Sequence, residues 1–349
     1  MAAFDDSAFD HHERVVFCHD AATGLKAIIA IHSTALGPAA GGTRLWTYAS
    51  DDEALHDVLR LSQGMSYKNA MAGLRFGGGK AVLIRTPDFD GSDALYERFG
   101  EFVDQLNGSY VTAEDVGMSV DIMEKVARRT KYVAGLSLKA GRAGGDPSPK
   151  TAFGILKGIE AAARSKLERD DLAGLRVAVQ GVGHVGYHLC RYLHEAGAGL
   201  VVADIDSSRV QRAVDEFGAT GVPLEDLLSQ DVDVVSPCAL GAILNARSIP
   251  ALRAAIVAGG ANNQLETAGD GQRLHDAGIL YAPDYVINGG GIINVAAEYY
   301  DDASDEEIWD RIAEIGPRLD GIFAESAASN RPTNEIADEQ ARRMIAAAG

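Results

Sequence analysis

The sequence predicts an α/β protein of two domains, and three observations lead there. The chain has 349 residues, more than one hydrophobic core usually serves, so a division is expected. From Val177 onward, short apolar runs alternate with helical patterns. That rhythm implies a doubly wound parallel sheet with right-handed crossovers. Before it, β runs, helices and glycine-rich turns are mixed, as in a separate domain built on a mixed sheet.

The elements follow in order. Val15-Val-Phe-Cys18 and Lys26-Ala-Ile-Ile-Ala-Ile31 are apolar, β-branched runs split by the turn Ala-Thr-Gly24, and they read as strands. A third strand follows Gly37-Pro38 and runs through Gly41-Gly42. Residues 51–70 read as a helix, with acids at its start and Leu55, Val58, Leu59 and Leu61 at helical spacing. Lys80–Ile84 is a strand, 92–107 a helix closed by Asn107-Gly108, and Tyr110–Thr112 a short strand. The breaker-rich stretch Arg142-Ala-Gly-Gly-Asp-Pro-Ser-Pro149 marks the domain boundary. The expected division is therefore 1–146 and 147–329, joined by a helix over 151–164. The second domain then alternates through 176–180, 184–196, 200–204, 207–216, 232–236, 255–258, 280–282 and 285–287. Residues 304–348 read as helical, and the segment 330–349 is expected to pack back on the first domain.

One motif in the second domain carries a specific chemistry. Val177-Ala-Val-Gln ends at Gly181-Val182-Gly183-His184-Val185-Gly186, a helix pattern begins, and a second apolar run ends in Asp204. The first glycine allows a sharp turn and the second lets backbone N–H groups approach a pyrophosphate. The third lets the helix sit closely on the sheet, with its positive end toward the phosphates. Asp204 stands at about the spacing of an acid that holds ribose hydroxyls, and its charge repels a 2′-phosphate. The expected cofactor is NAD rather than NADP, on a Rossmann-type domain. The alternative is a tight strand-to-helix turn without a ligand.

Bulk composition excludes several classes. The formal charge is −18 and no basic stripe offsets it, so nucleic acid and anionic membranes are not expected partners. Cys18, Cys190 and Cys238 are far apart, with no CxxC, and the histidines show no ligand spacing with acids, so no metal site is expected. Sparse cysteine, an acidic start without a signal-type core and no apolar run of membrane-spanning length lead to a cytoplasmic expectation.

The first domain offers titratable groups among glycines. Gly77-Gly-Gly-Lys80 lacks the following Ser/Thr and the full spacing of a phosphate loop. It reads as a glycine loop in which the backbone comes close to a ligand beside an ammonium. Lys68 lies twelve residues upstream at the end of a helix. Two ammoniums in one apolar cleft repel each other, and burial adds to that; both effects lower a lysine pKa toward the range of a base. The alternative for each is a solvated surface lysine. In Thr112-Ala-Glu-Asp115-Val-Gly117, Asp115 is placed either to trade protons with a lysine or to cap a helix near 119. Ala258–Gln264 and Pro283–Gly291 follow strands at the edge where such sheets bind ligands; their asparagines serve either ligand or turn.

Taken together, the set Leu36–Gly42, Gly64-Met65-Ser-Tyr-Lys68, Gly77–Lys80, Thr112–Gly117, Gly181–Gly186, Pro237–Gly241 and Asn262-Asn263-Gln264 resembles the glutamate/leucine/phenylalanine/valine amino acid dehydrogenases. The resemblance runs in order through nearly the whole chain and is nearest to the leucine-type members. It implies an N-terminal amino acid dehydrogenase domain facing the NAD-binding domain across an interdomain cleft, in a homo-oligomer. It also implies NAD-dependent, reversible oxidative deamination of an L-amino acid to a 2-oxo acid and ammonia. By this resemblance Lys68 binds the substrate carboxylate, with Gly41, Gly42 and Met65 shaping the same wall. Lys80 is the general base and Asp115 the proton relay. Asn263 and Asn288 orient cofactor and substrate. Ala40, Ala113, Ile292 and Val295 match the side-chain pocket, small or branched residues that suit an aliphatic substrate such as leucine. Ala40 is smaller than the leucine-type pattern, which keeps a phenylalanine dehydrogenase as the alternative. A non-catalytic NAD(H)-binding sensor is the alternative from another class.

Overall fold

The computed structural model describes residues 3–136, 146–239 and 241–349. Part of the expected boundary stretch, residues 142–145, and Leu240 of Pro237–Gly241 lie outside the described residues. The chain divides into two compact units. One comprises Met1–Gly145, Val295–Asp305 and Ala341–Gly349; the other comprises Asp146–Asn294 and Glu306–Gln340.

The first unit is built on strands β1 (Arg14–Asp20), β2 (Leu25–Ser33), β3 (Ala39–Trp46), β4 (Gly77–Ile84) and β5 (Tyr110–Glu114). They lie in the order β1-β2-β4-β3-β5. β1, β2 and β4 pair antiparallel, whereas β3 runs parallel to both β4 and β5, so the sheet is mixed as expected. Side chains alternate across it with the two-residue strand period. On β2, Ile28 and Ala30 meet Leu55, Val58 and Leu59 of helix α1 (Asp51–Met71). Ala27, Ile29 and Ile31 face the opposite layer. That layer is α2 (Asp93–Gln105), with Leu95, Phe99 and Val103, and α3 (Val120–Ala127), with Met123 and Val126. Each of the larger buried side chains contributes about 1.5–3 kcal/mol.

Helix α1 begins where its sequence says it should. Ser50 accepts from the Glu53 N–H, Glu53 accepts in return from the Ala49 N–H, and three acids occupy the first turn. Its last turn carries Lys68.

One expectation is corrected. Gly77-Gly-Gly-Lys80 is not a loop: all four residues lie buried inside β4, between β2 and β3. The reason is steric. A Cβ on Gly78 would sit 2.1 Å from the Ser66 backbone nitrogen, so the glycines are what lets α1 rest directly on the strand. Asp115 does not cap α3 either; that cap is Ser119.

The second unit holds a six-stranded, wholly parallel sheet. In chain order come α4 (Ser148–Leu167), β6 (Arg176–Gln180), α5 (His184–Glu195), β7 (Gly199–Ala203), α6 (Ser207–Phe217), β8 (Thr220–Gly221), β9 (Val234–Pro237), β10 (Ile256–Val257), α7 (Gly269–Asp276), β11 (Leu280–Tyr281) and α8 (Asp284–Ile287). The strand order is β11-β10-β9-β6-β7-β8, two wings spreading from β6, which is the doubly wound arrangement. Helix α9 (Gly290–Tyr300) follows, then α10 (Asp305–Ala313), α11 (Ile315–Ser329) and α12 (Thr333–Ala348). The expected helical tail is thus three helices, and α11 ends at Asn330 in the left-handed conformation. Gly154 and Gly158 on α4 leave room for Ile315 and Leu319 of α11.

Candidate active site

In the first unit the register of β3 with β4 and β5 brings charged groups together. Lys80 is 6% exposed, and its Nζ lies 2.5 Å from Asp115 Oδ2. Asp115 follows the end of β5, and its Cβ passes so close to Gly42 that a side chain there would meet it at 2.8 Å. Arg44, two residues further along β3, places Nε 3.5 Å from the same Asp115 oxygen. Its Nη1 donates to Asp57 Oδ2 on α1 at 2.9 Å, and that oxygen also accepts from Tyr48 Oη at 2.8 Å. Beneath, Thr43 and Thr112 share a hydroxyl hydrogen bond and Tyr110 Oη donates to the Gly41 carbonyl.

Burial is the largest influence on Lys80 and lowers its proton affinity; Asp115 opposes this and Arg44 adds to it. Burial by itself raises the Asp115 carboxyl, but the Lys80 ammonium and the Arg44 guanidinium outweigh it and hold the group below the usual carboxylate range. A desolvated amine touching an ionised acid is an arrangement suited to proton exchange.

The end of α1 is fixed against the same strands. Asn69, fully buried, donates from Nδ2 to the carbonyls of Gly77 and Ala40 at 2.6 and 3.3 Å. The neighbouring Lys68 is partly buried. Met65 lies against Gly41, where a Cβ would come within 1.9 Å of the Gly79 carbonyl oxygen. Ala40, Ala113 and Val295 pack in one apolar cluster with Phe76, Val111, Ala134, Ala296, Tyr299 and Tyr300. Ile292 lies on the part of α9 that belongs to the second unit, half-buried, outside that cluster.

In the second unit, Gly181 turns the chain at φ +88° after β6, and Gly183 precedes the first turn of α5. Among the described residues no neighbour within 3.4 Å would meet a Cβ on Gly183, whereas one on Gly186 would strike the Gly181 carbonyl oxygen at 1.9 Å. So the second glycine is open to a ligand and the third is closed by packing. Asp204 fastens the loop: Oδ2 accepts from the Val182 N–H at 2.7 Å and Oδ1 from the Asp206 N–H at 2.9 Å. A groove of about 460 Å³ runs beside the loop, lined by Val182, Gly183, His184, Tyr187, Arg209 and Arg212 among others. Loop amides, a helix N-terminus and arginines form a donor set that suits the phosphates of a dinucleotide. Asn288 Nδ2 donates to Asn262 Oδ1 and the Gly260 carbonyl, joining the loop after β10 to the end of α8. Asn263 is exposed, in the left-handed conformation. Among the described residues no group of histidines, cysteines and acids could hold a metal ion, and no helix is long and apolar enough to cross a membrane.

The Glu/Leu/Phe/Val dehydrogenase dimerisation domain profile matches residues 12–132, and the Glutamate/Leucine/Phenylalanine/Valine dehydrogenase profile matches 202–348. The chain belongs to this family. Leucine dehydrogenase of Geobacillus stearothermophilus is 50% identical over 334 residues, covering 96% of this chain and 90% of that protein. Valine dehydrogenase of Streptomyces virginiae is 50% identical over 290 residues, 82% of this chain and 81% of that one. The crystal structure of L-tryptophan dehydrogenase from Nostoc punctiforme superposes with a TM-score of 0.87 at 43% identity, covering 97% and 96% of the two chains. As a Glu/Leu/Phe/Val dehydrogenase, the protein is an amino acid dehydrogenase of a nicotinamide-dependent family.

Sequence reasoning about this dehydrogenase missed Arg44, Asp57 and Asn69. Arg44 and Asp57 are thirteen residues apart, on a strand and a helix, and no periodicity announces their contact. Asn69 follows Lys68 directly, and an amide just before an abrupt helix end was the available signal.

Proposed function

We propose that the protein catalyses the reversible, NAD-dependent oxidative deamination of L-leucine and related branched-chain amino acids to 2-oxo acids and ammonia. The observation that carries this reading is the buried Lys80–Asp115 pair beside the Gly41–Gly42 segment. A nucleotide sensor has no use for an amine desolvated at such cost.

In this reading the residues divide the work. Lys68 holds the substrate carboxylate, and Gly41, Gly42 and Met65 give it a wall without side-chain obstruction. Lys80, neutral in its active form, takes a proton from the water that attacks the substrate imine. Asp115 passes protons to and from the departing amine. Ala40, Ala113, Ile292 and Val295 contact the aliphatic side chain. In the second unit Gly181, Val182, Gly183, His184, Val185 and Gly186 hold the pyrophosphate, Asp204 the ribose, and Asn263 and Asn288 the nicotinamide end. When bound, the dinucleotide supplies the hydride acceptor. The acidic Asp204 favours NAD over its 2′-phosphorylated form. The same reading assigns 1–146 to substrate and 147–329 to nucleotide binding, and places the protein in the cytoplasm as a homo-oligomer. Edge strand β1, with Phe17 61% exposed, is consistent with assembly.

A second reading, an aromatic substrate, draws on the small Ala40. One methylene in an apolar pocket is worth about 1–3 kcal/mol, enough to change preference. The test is NADH production by purified protein from L-leucine, L-valine, L-isoleucine, L-phenylalanine and L-tryptophan. Leucine ahead of the aromatic substrates in kcat/KM supports the first reading, an aromatic leader the second; no turnover of any overturns both.

A further inference from the structure

Four elements of the first unit converge on one line of alternating charge: Lys80 on β4, Asp115 after β5, Arg44 on β3 and Asp57 on α1. All four side chains are less than a quarter exposed. Asp57 is held from three sides, by Arg44, by the Tyr48 hydroxyl and by Arg60, whose Nη2 donates to its other oxygen at 3.1 Å. Arg44 is thereby clamped with one nitrogen on Asp57 and another turned to Asp115. We propose that Arg44, anchored by Asp57, is a positioning residue that orients Asp115 toward Lys80 and sets the charge balance of that pair. The proposal rests on the dehydrogenase reading for its effect on turnover, but its electrostatic part stands on this geometry alone.

The physical argument concerns charge in a partly desolvated place, where an interaction is worth several times its value in water. The guanidinium favours the anionic form of Asp115 and disfavours the ammonium form of Lys80; the Asp57 carboxylate acts in the opposite sense on Lys80. Tyr48 is bound to Asp57 and Tyr110 is fully buried behind the site, and burial raises both phenols, leaving them neutral. Glu114, next in the chain, is exposed. Arg60 reaches Asp57 from the solvent side. Replacing Asp57 and replacing Arg44 therefore push Lys80 in opposite directions, which a general loss of packing would not do.

The experiment compares the parent with Asp57→Asn, Arg44→Met and Arg44→Lys. Two quantities are read against pH: the kcat of amino acid deamination, and the labelling of Lys80 by trace reductive methylation, quantified by peptide mass spectrometry. Asp57→Asn is expected to move the rising limb of kcat and the Lys80 labelling midpoint to lower pH, and Arg44→Met to move both to higher pH. Arg44→Lys is expected to return them toward the parent, with KM for the amino acid little changed throughout. Labelling midpoints that coincide with the parent in folded variants, or that move in one common direction, overturn the proposal. If Arg44→Met does not fold, the direction taken by Asp57→Asn decides alone. If the parent deaminates no amino acid yet the midpoints separate as stated, the functional reading falls and the charge relationship stands.

Discussion

Lys80 and Asp115 meet as a buried ion pair, Nζ to Oδ2 at 2.5 Å, although thirty-four residues of sequence lie between them. Parallel pairing of β3 with both β4 and β5 makes this possible, because Thr43 stands level with Ala81 on one side and Glu114 on the other, next to Lys80 and Asp115. With the amine gone, general base catalysis goes with it. Lys80→Ala is expected to lose about 10²–10⁴-fold in kcat while retaining NADH binding, measured by nucleotide fluorescence. Near-normal turnover would remove Lys80 from the mechanism.

The pH profile follows from the burial of that amine. The base form is the neutral one, so deamination rises as pH rises through the Lys80 pKa. Burial lowers that pKa, and the limb is therefore expected below the ordinary lysine value of about 10.4. Initial rates over a pH series, at saturating substrate, check the position of the limb.

Stability has its own pH window, set elsewhere in the first unit. His12 is buried between Leu59 and Ser62 with its ring against His32, and burial pushes its pKa down to about 4. The unfolded chain takes up this proton near pH 6.5, the folded chain only near pH 4. The stabilisation is complete above 6.5 and is lost progressively on acidification to 4, on the order of 1–2 kcal/mol after allowance for solvent screening. Thermal melts at pH 7 and pH 4.5 are expected to converge in His12→Asn relative to the parent.

Gly78 is the tightest point between helix and sheet. Gly78→Ala puts a methyl into the Ser66 backbone and is expected to cost about 1–3 kcal/mol. It should also raise KM for the amino acid, since Lys68 rides on the displaced helix. Calorimetry and steady-state kinetics measure the two effects separately.

In the second unit, Asp204→Asn weakens the acceptor that fastens the glycine loop at Val182. The expected loss is about 1–2 kcal/mol, roughly tenfold in the Kd of NADH. Titration of NADH fluorescence checks it, and an unchanged Kd would deny the residue its role.

What the sequence made legible follows how local each signal is. Helix α1 announced itself through its acids and its apolar spacing, β6 through Val177–Val179, and the glycine loop through its place between strand and helix. Gly77–Gly79, ahead of the strand expected from Lys80, read as a loop because glycine is rare in strands, and only the close approach of Ser66 explains their place in β4. The two-residue strand β8 is too short for any periodicity to register, whereas β10 and β11 are legible as the apolar runs at 255–258 and 280–282. The Arg44–Asp57 contact depends on a strand meeting a helix, which no spacing along the chain encodes. The pocket residues Ala40, Ala113 and Val295 were legible only through the family resemblance, since small apolar residues look alike in any core.

Arg342 Nε donates to the hydroxyl of Tyr67, the neighbour of Lys68. The first unit is thus stitched from pieces far apart in translation order, and a ribosome emits them in sequence. The sheet carrying Lys80 emerges early, yet residues 341–349 of the same unit come last. During synthesis this unit therefore lacks its C-terminal piece until the whole of the second unit has been made.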